Sequence, residues 1–143
     1  MRKLNFLIIV STFCLFFIYG CTSSVTDTAA SLDGKWLLKT LNEEKIIKEK
    51  AGREMPYLNF NLKNNSVSGN TGCNDLGGKI VVTSDKINFS DMSMTKIACS
   101  DAEYELKFVD NIFNAEPVKY KIENNVLTLL EDGKVIMTFE KTK

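Results

Sequence analysis

Two cysteines, Cys73 and Cys99, are the residues of this sequence best suited to covalent chemistry. A cysteine can serve as a nucleophile, a redox group or a metal ligand, and each role has a characteristic setting. These two do not form a CxxC pair, and the sequence contains no histidine. The absence of histidine excludes a Ser-His-Asp triad, a Cys-His pair and histidine metal sites. A thiol-disulfide enzyme is therefore only the third hypothesis for the function of this chain.

A glycine-rich stretch, Ser68–Lys79, surrounds Cys73. It lacks the spacing of a Walker phosphate loop, and no helix is predicted directly after it. Its first glycines are expected to permit close backbone approach or positive φ, and its asparagines to bond local backbone groups. The Gly77-Gly78 pair predicts a turn or a bulge. The residues of interest in this stretch are Gly69, Asn70, Gly72 and Asn74.

Candidate metal ligands lie near the cysteines in the sequence. Asp75, Asp91 and Asp101 could supply oxygen atoms, but their spacing is not that of a calcium loop. Met92 and Met94 could add soft sulfur ligands, although methionine more commonly fills a core. We therefore predict no metal, no cofactor and no catalytic residue.

The charge balance limits the kinds of partner. The 143 residues contain 18 basic and 18 acidic side chains. We expect no large basic surface for a nucleic-acid backbone and no charged tail. The length suits a single domain, which we expect to be monomeric.

The N-terminus has the pattern of a secretory signal. Two basic residues, Arg2 and Lys3, precede the apolar run Leu4–Tyr19. That run is shorter than the roughly 20 residues that span a bilayer, so a signal peptide over residues 1–20 is predicted instead of a permanent membrane helix.

The end of this segment, Ile18-Tyr19-Gly20-Cys21, resembles the lipobox of bacterial lipoproteins. Tyr19 stands where a smaller residue is usual. The resemblance implies cleavage before Cys21, a diacylglycerol on its sulfur and a further acyl chain, such as palmitate, on the new amine. Several acyl chains together give stable membrane anchoring. Residues 21–31 are then the lipidated cysteine and a flexible tether, and residues 32–143 are the folded domain.

The predicted export determines the redox environment of Cys73 and Cys99. In an oxidising compartment an even pair usually becomes a disulfide, which favours a Cys73–Cys99 bond. On the chain-entropy model such a bond adds roughly 3–4 kcal/mol of stability. Two buried free thiols are the alternative.

Alternating hydrophobicity predicts that most of the domain is β-structure. Trp36 is expected to anchor the core, and Asn124-Asn125 fits a type I′ hairpin turn. About eight to nine short strands imply a small antiparallel β-barrel or a strongly rolled sheet. Period-two segments include Leu58, Phe60 and Leu62; Val118, Tyr120 and Ile122; and Val135, Met137 and Phe139.

One α-helix is predicted at about residues 101–114. Ser100 and Glu103 have the spacing of a capping box, and Leu106, Val109 and Phe113 follow a helical period, which Phe108 and Ile112 widen. Pro117 prevents the helix from continuing far.

The two cysteine segments together resemble the META domain family, also called HslJ-like. The family pairs a "G-x-x-G-C-N" segment with an "M-T-x-x-x-C" segment, as in Gly69–Asn74 and Met94–Cys99 here. The resemblance covers roughly residues 32–140. It implies a compact, mostly β, barrel-like domain with one helix, often in the bacterial envelope and without an agreed biochemical activity. The positions carried over are Gly69, Asn70, Gly72, Asn74, Met94 and Thr95.

These observations predict a lipid-anchored envelope protein with a non-enzymatic structural, stress-related or binding role. The uncharged Thr22 after Cys21 favours the outer membrane, facing the periplasm, by resemblance to lipoprotein sorting rules. A small-ligand or protein-inhibitor barrel is the alternative. It predicts either an internal apolar cavity or an exposed loop that presents Asn70, Thr71 and Asn74.

Overall fold

A computed structural model of the protein describes residues 31–100, 102–113 and 116–143. The predicted signal peptide, Cys21 and nearly all of the predicted tether lie outside the described residues. Asp101 and Asn114, at the two predicted ends of the helix, also lie outside them.

Within the described residues, nine antiparallel strands form one sheet that closes on itself. Their order in the sheet is β2-β1-β3-β4-β5-β6-β7-β8-β9, and β1 also pairs with β9. Eight strands therefore make a barrel, and β2 is an extra short strand beside the end of β1, which confirms the predicted fold. The strands are β1 Gly34–Leu41, β2 Glu44–Lys45, β3 Tyr57–Asn61, β4 Ser66–Asn70, β5 Asp75–Val82, β6 Lys86–Met94, β7 Val118–Glu123, β8 Val126–Glu131 and β9 Lys134–Lys141.

Turn residues with positive φ connect these strands. Asn124 and Asn125 have φ values of 51° and 62°, which confirms the type I′ hairpin between β7 and β8. Gly77-Gly78 does not form a turn. It lies within β5, where the register with β6 shifts, and so corresponds to the predicted bulge.

Large apolar side chains fill the interior of the barrel. Trp36, Phe60, Phe108 and Phe139 are each at most 2% exposed. The indole N–H of Trp36 donates to the carbonyl oxygen of Leu32 at 2.7 Å, so the one polar atom of this side chain is satisfied inside the core. Each buried apolar side chain of this size contributes about 2–3 kcal/mol to folding.

The predicted helix forms, but it starts about one turn later than predicted. Helix α1 spans Glu105–Phe113. Ala102 instead forms an isolated bridge with Ala51, and the Glu103 carboxylate lies 3.1 Å from the ammonium of Lys50. These long-range contacts hold residues 102–103 against the neighbouring loop, in competition with the local capping signal at Ser100.

Helix α1 covers one end of the barrel, and its buried face is centred on Phe108 and Ile112, both of which belong to the predicted apolar stripe. Phe108 and Ile112 are fully buried, whereas Leu106 is 78% exposed. The prediction that Leu106 lies on the buried stripe was therefore wrong. Among the described residues, no helix has both the length and the apolar character needed to cross a membrane.

Candidate functional site

The two motif segments meet at the barrel end that α1 covers. The loop Thr71–Asn74 joins β4 to β5, and the segment Thr95–Ser100 follows β6. Strands β5 and β6 are neighbours, with Leu76 opposite Met94, so the loop and the segment lie side by side. We call these two segments, with Asn70 and Glu105, the motif cluster.

A disulfide between Cys73 and Cys99 crosses the motif cluster. The two Cα atoms are 6.1 Å apart, and the residues are separated by 26 positions in the sequence. This bond confirms the predicted disulfide and removes the alternative of two free thiols. Cys73 is only 4% exposed, and Cys99 is half-buried.

The side chain of Asn74 connects three parts of the cluster. Its amide nitrogen donates to the carbonyl oxygen of Ile97 at 3.0 Å and to Glu105 Oε1 at 2.7 Å. Its amide oxygen accepts from the Thr95 hydroxyl at 2.8 Å and from the Ile97 N–H at 2.7 Å. Because Asn74 is 2% exposed, these bonds form largely away from water, where leaving a polar group unpaired is costly.

Thr71 joins the same network from within the loop. Its hydroxyl donates to Glu105 Oε1 at 2.6 Å and accepts from the Asn74 N–H at 2.9 Å. One carboxylate oxygen of α1 thus receives hydrogen bonds from two buried loop side chains. Charge-assisted bonds of this kind are about twice as strong as neutral ones, so Glu105 attaches the helix firmly to the loop.

Asn70 and Asp75 form the base of the loop. The Asn70 side-chain oxygen accepts from the Gly72 N–H at 2.7 Å, and its amide nitrogen donates to Asp75 Oδ1 at 2.8 Å. Near this position Tyr57 pairs with Asn70 across the sheet. Burial raises the pKa of Tyr57 above its ordinary value, and the negative charges of Glu54 and Asp75 raise it further.

Two glycines allow the loop to contact a neighbouring segment through bare backbone. Gly72 has φ +99°, and a Cβ there would overlap the carbonyl oxygen of Ala51. Gly52 has φ +92°, and a Cβ there would strike the carbonyl oxygen of Gly72. The Arg53 N–H donates to that same oxygen at 2.7 Å. Both positions therefore need glycine for conformation and for space.

The family model of the META domain matches residues 29–143. The chain belongs to the META domain family. No match to it was found among curated proteins.

Two solved structures have a similar fold at low sequence identity. An NMR structure from Burkholderia xenovorans has a TM-score of 0.63 and 16% identity, and the match covers 84% of this chain and 89% of that one. A second NMR structure also has a TM-score of 0.63 and 16% identity, with 82% and 93% of the two chains covered. At this identity the likeness supports the fold alone.

The structure brings most of the META motif residues into one place. Asn70, Gly72, Asn74 and Thr95 lie within the hydrogen-bonded cluster. Gly69 precedes it on β4, where a Cβ would overlap the carbonyl oxygen of Tyr57, and half-buried Met94 packs against the core. Glu105 was missed by the sequence analysis, although it is a carboxylate on the same helical face as Phe108 and Ile112. A polar residue on an otherwise buried face was the available signal.

The buried polar groups of the motif cluster are engaged in hydrogen bonds within the fold. Among the described residues, every fully buried side-chain nitrogen or oxygen has a hydrogen-bond partner. In the same part of the chain, no group of three or more acidic or cysteine side chains could hold a metal ion. An open concavity of about 400 Å³ lies beside the disulfide, bordered by Gly52, Arg53 and Ala98–Ser100.

Proposed function

We propose that this META-domain protein is a lipid-anchored, monomeric protein of the bacterial cell envelope with a non-enzymatic structural, stress-related or binding role. The anchor is Cys21, and the place is the periplasmic face of the outer membrane. One observation supports the non-enzymatic part of the proposal most directly. The buried polar side chains of the motif cluster are all hydrogen-bonded within the fold, with Asn70 6%, Thr71 0% and Asn74 2% exposed.

The same burial argues against a loop that presents these side chains to a partner. A binding loop would leave donors or acceptors directed at solvent, whereas these are enclosed and paired. The interior is no better suited to a ligand, because Trp36 and Phe60 fill it and are at most 2% exposed. An internal carrier needs a cavity of about 300 Å³ or more lined by such groups. Any binding role of this domain is therefore assigned to its outer surface.

The burial of Cys73 argues against thiol exchange by attack on the Cys73 sulfur. An attacking thiolate must reach one sulfur of the disulfide, and the Cys73 side is 4% exposed. The Asn74 amide also lies 3.3 Å from the Cys73 sulfur. These contacts suit a bond that holds the fold together.

Metabolic labelling tests the anchor. The whole chain is expressed in a bacterium fed an alkyne fatty acid, and labelling is read after gel separation. Cys21→Ser should abolish the label, whereas Cys14→Ser, which changes a cysteine within the predicted signal, should retain it. Density-gradient separation of the membranes should place the labelled protein with the outer membrane. Equal labelling of the Cys21→Ser variant would refute the anchor.

A second assay tests the non-enzymatic role. Intact cells carrying the protein are treated with an amine crosslinker, and captured envelope proteins are compared with those captured by the Cys21→Ser variant. Recovery of a defined envelope partner only with the anchored protein supports a binding role at the membrane. Turnover of a thiol or disulfide substrate by the purified protein, lost in Cys99→Ser, would overturn the non-enzymatic proposal.

A further inference from the structure

The two sulfurs of the Cys73–Cys99 bond differ in their access to solvent. Cys73 is buried, and the Asn74 amide nitrogen lies 3.3 Å from its sulfur. Cys99 is half-buried and borders the open concavity of about 400 Å³, whereas Cys73 is not among the described residues that border it. A reagent that enters this concavity therefore reaches the bond from the Cys99 side.

Arg53 is the one charged side chain among the described residues that border the concavity. It is exposed, and within the described part of the chain it makes no ion pair. The neighbouring Glu54 is not part of this border and lies near Tyr57, whose pKa its negative charge raises. The thiolate is the attacking form of a thiol, and a positive charge attracts it. Arg53 therefore favours the approach of a thiolate to Cys99.

The segment that carries Cys99 is attached to the barrel on both sides without the disulfide. Before Cys99, the Thr95 hydroxyl and the Ile97 N–H donate to the Asn74 side-chain oxygen. After it, Ala102 forms the bridge with Ala51. Between these points, residues 98–100 make no hydrogen bond to the described chain and belong to no strand. Opening the bond therefore frees a short piece of chain and leaves the barrel closed.

We propose that this disulfide is a reducible site that is attacked at Cys99, and that its reductant is a dithiol protein of the cell envelope. One thiolate of the reductant bonds to the Cys99 sulfur, and the electron pair of the broken S–S bond goes to the Cys73 sulfur. That sulfur accepts a hydrogen bond from the Asn74 amide and takes a proton from water. The second thiolate of the reductant then attacks its own partner sulfur in the mixed disulfide. This step closes the disulfide of the reductant and releases Cys99, which also takes a proton.

The exchange goes beyond the proposed non-enzymatic role, because the protein is the substrate of the reductant and not a catalyst. It does not depend on a lipid at Cys21. Reduction changes the outer surface beside the motif cluster, where Arg53 and residues 98–100 surround the concavity. The redox state of the envelope thus determines which form of this surface a partner meets.

Trapping the mixed disulfide tests which sulfur is attacked. The full-length oxidised protein in detergent is mixed with a thioredoxin-type protein whose second active-site cysteine has been replaced, so that the mixed disulfide cannot resolve. The reaction is stopped with acid, and the joined peptides are identified by mass spectrometry. The reductant should be found on Cys99 in at least about tenfold excess over Cys73. Equal attachment to the two cysteines, or attachment mainly to Cys73, refutes the proposal.

Charge-matched variants test the contribution of Arg53. The rate of reduction by glutathione, an anionic thiol, should fall severalfold in Arg53→Gln. It should stay unchanged in Lys134→Gln, which removes the same charge from an exposed side chain at the start of β9. Equal rates in the two variants overturn the role assigned to Arg53.

Reduction must also proceed without unfolding. The reduced protein should keep the fluorescence of buried Trp36, and the Ile97 N–H should keep its protection from hydrogen exchange because Asn74 still accepts from it. Below the unfolding transition, the rate of reduction should be independent of the urea concentration. A rate that rises with urea in step with unfolding overturns the proposal, as does loss of the native Trp36 signal on reduction.

Discussion

Replacing Asn74 with alanine should destabilise the protein strongly, because this side chain joins both motif segments to α1. The substitution removes four hydrogen bonds of 2.7–3.0 Å, with Thr95, Glu105 and both backbone polar groups of Ile97. Each such bond contributes about 1 kcal/mol net, and a buried partner left unpaired adds about 1–3 kcal/mol. Thr95 and Ile97 are exposed enough to recover bonds to water. The expected loss is therefore about 3–4 kcal/mol.

Urea unfolding of the oxidised protein measures this loss. Trp36 is the only tryptophan and is fully buried, so its fluorescence reports on the core. With a urea dependence of about 1.5–2 kcal/mol per molar, the midpoint should fall by about 2 M. Asn59→Ala is the matched control, because Asn59 is exposed on β3, and its effect should stay within about 0.5 kcal/mol.

A small loss of stability would refute the interpretation that the motif residues hold this part of the fold together. If Asn74→Ala costs less than about 1 kcal/mol while the disulfide is fully formed, the four hydrogen bonds do not hold this end of the barrel together. Asn74 would then have a role other than stabilising the fold, such as binding a ligand. Mass spectrometry under non-reducing conditions checks the disulfide in the variant.

Three further predictions concern backbone, core and pH. Gly72→Ala should lower the free energy of unfolding in urea by more than about 3 kcal/mol, because Gly72 has a positive φ and its new Cβ would overlap the carbonyl oxygen of Ala51. Gly133→Ala is the control: Gly133 has φ +79° but open space around it, so the loss should be about 1 kcal/mol. Phe108→Ala should lower stability by about 3–5 kcal/mol, and Leu106→Ala, on the exposed face of α1, should change it by less than about 0.5 kcal/mol; equal effects would contradict the assigned helix face. Burial raises the pKa of Tyr120, and the negative charge of Asp85 raises it further. Because the tyrosine of the unfolded chain then ionises first, the free energy of unfolding should fall as the pH rises above about 10. Unfolding measured at a series of alkaline pH values should show a smaller fall for Tyr120→Phe.

The fold could be predicted because its main signals are local. The alternation of Leu58 and Phe60 identified β3, and two adjacent asparagines identified the β7–β8 turn, since both features depend only on neighbouring residues. The start of α1 could not be predicted in the same way. The capping signal at Ser100 is local, whereas the Ala102–Ala51 bridge brings together residues far apart in the sequence.

Only part of the candidate site could be predicted from the sequence. The disulfide followed from the cysteine count and the predicted export. The role of Glu105 did not, because it depends on how α1 is rotated and on the register that places Thr71 beneath it.

Closure of the barrel by its first and last strands has a consequence for synthesis. Trp36 on β1 lies opposite Lys141 on β9, so this pairing joins residues more than a hundred positions apart. While the chain is being made, β1 has no β9 to pair with, and the core around Trp36 stays open until the last strand emerges. Contacts of such high sequence separation fold slowly and leave an unpaired edge exposed meanwhile. Deletion of only the last few residues of β9 should therefore remove the hydrogen-bonded partner of β1 and open the barrel at that strand.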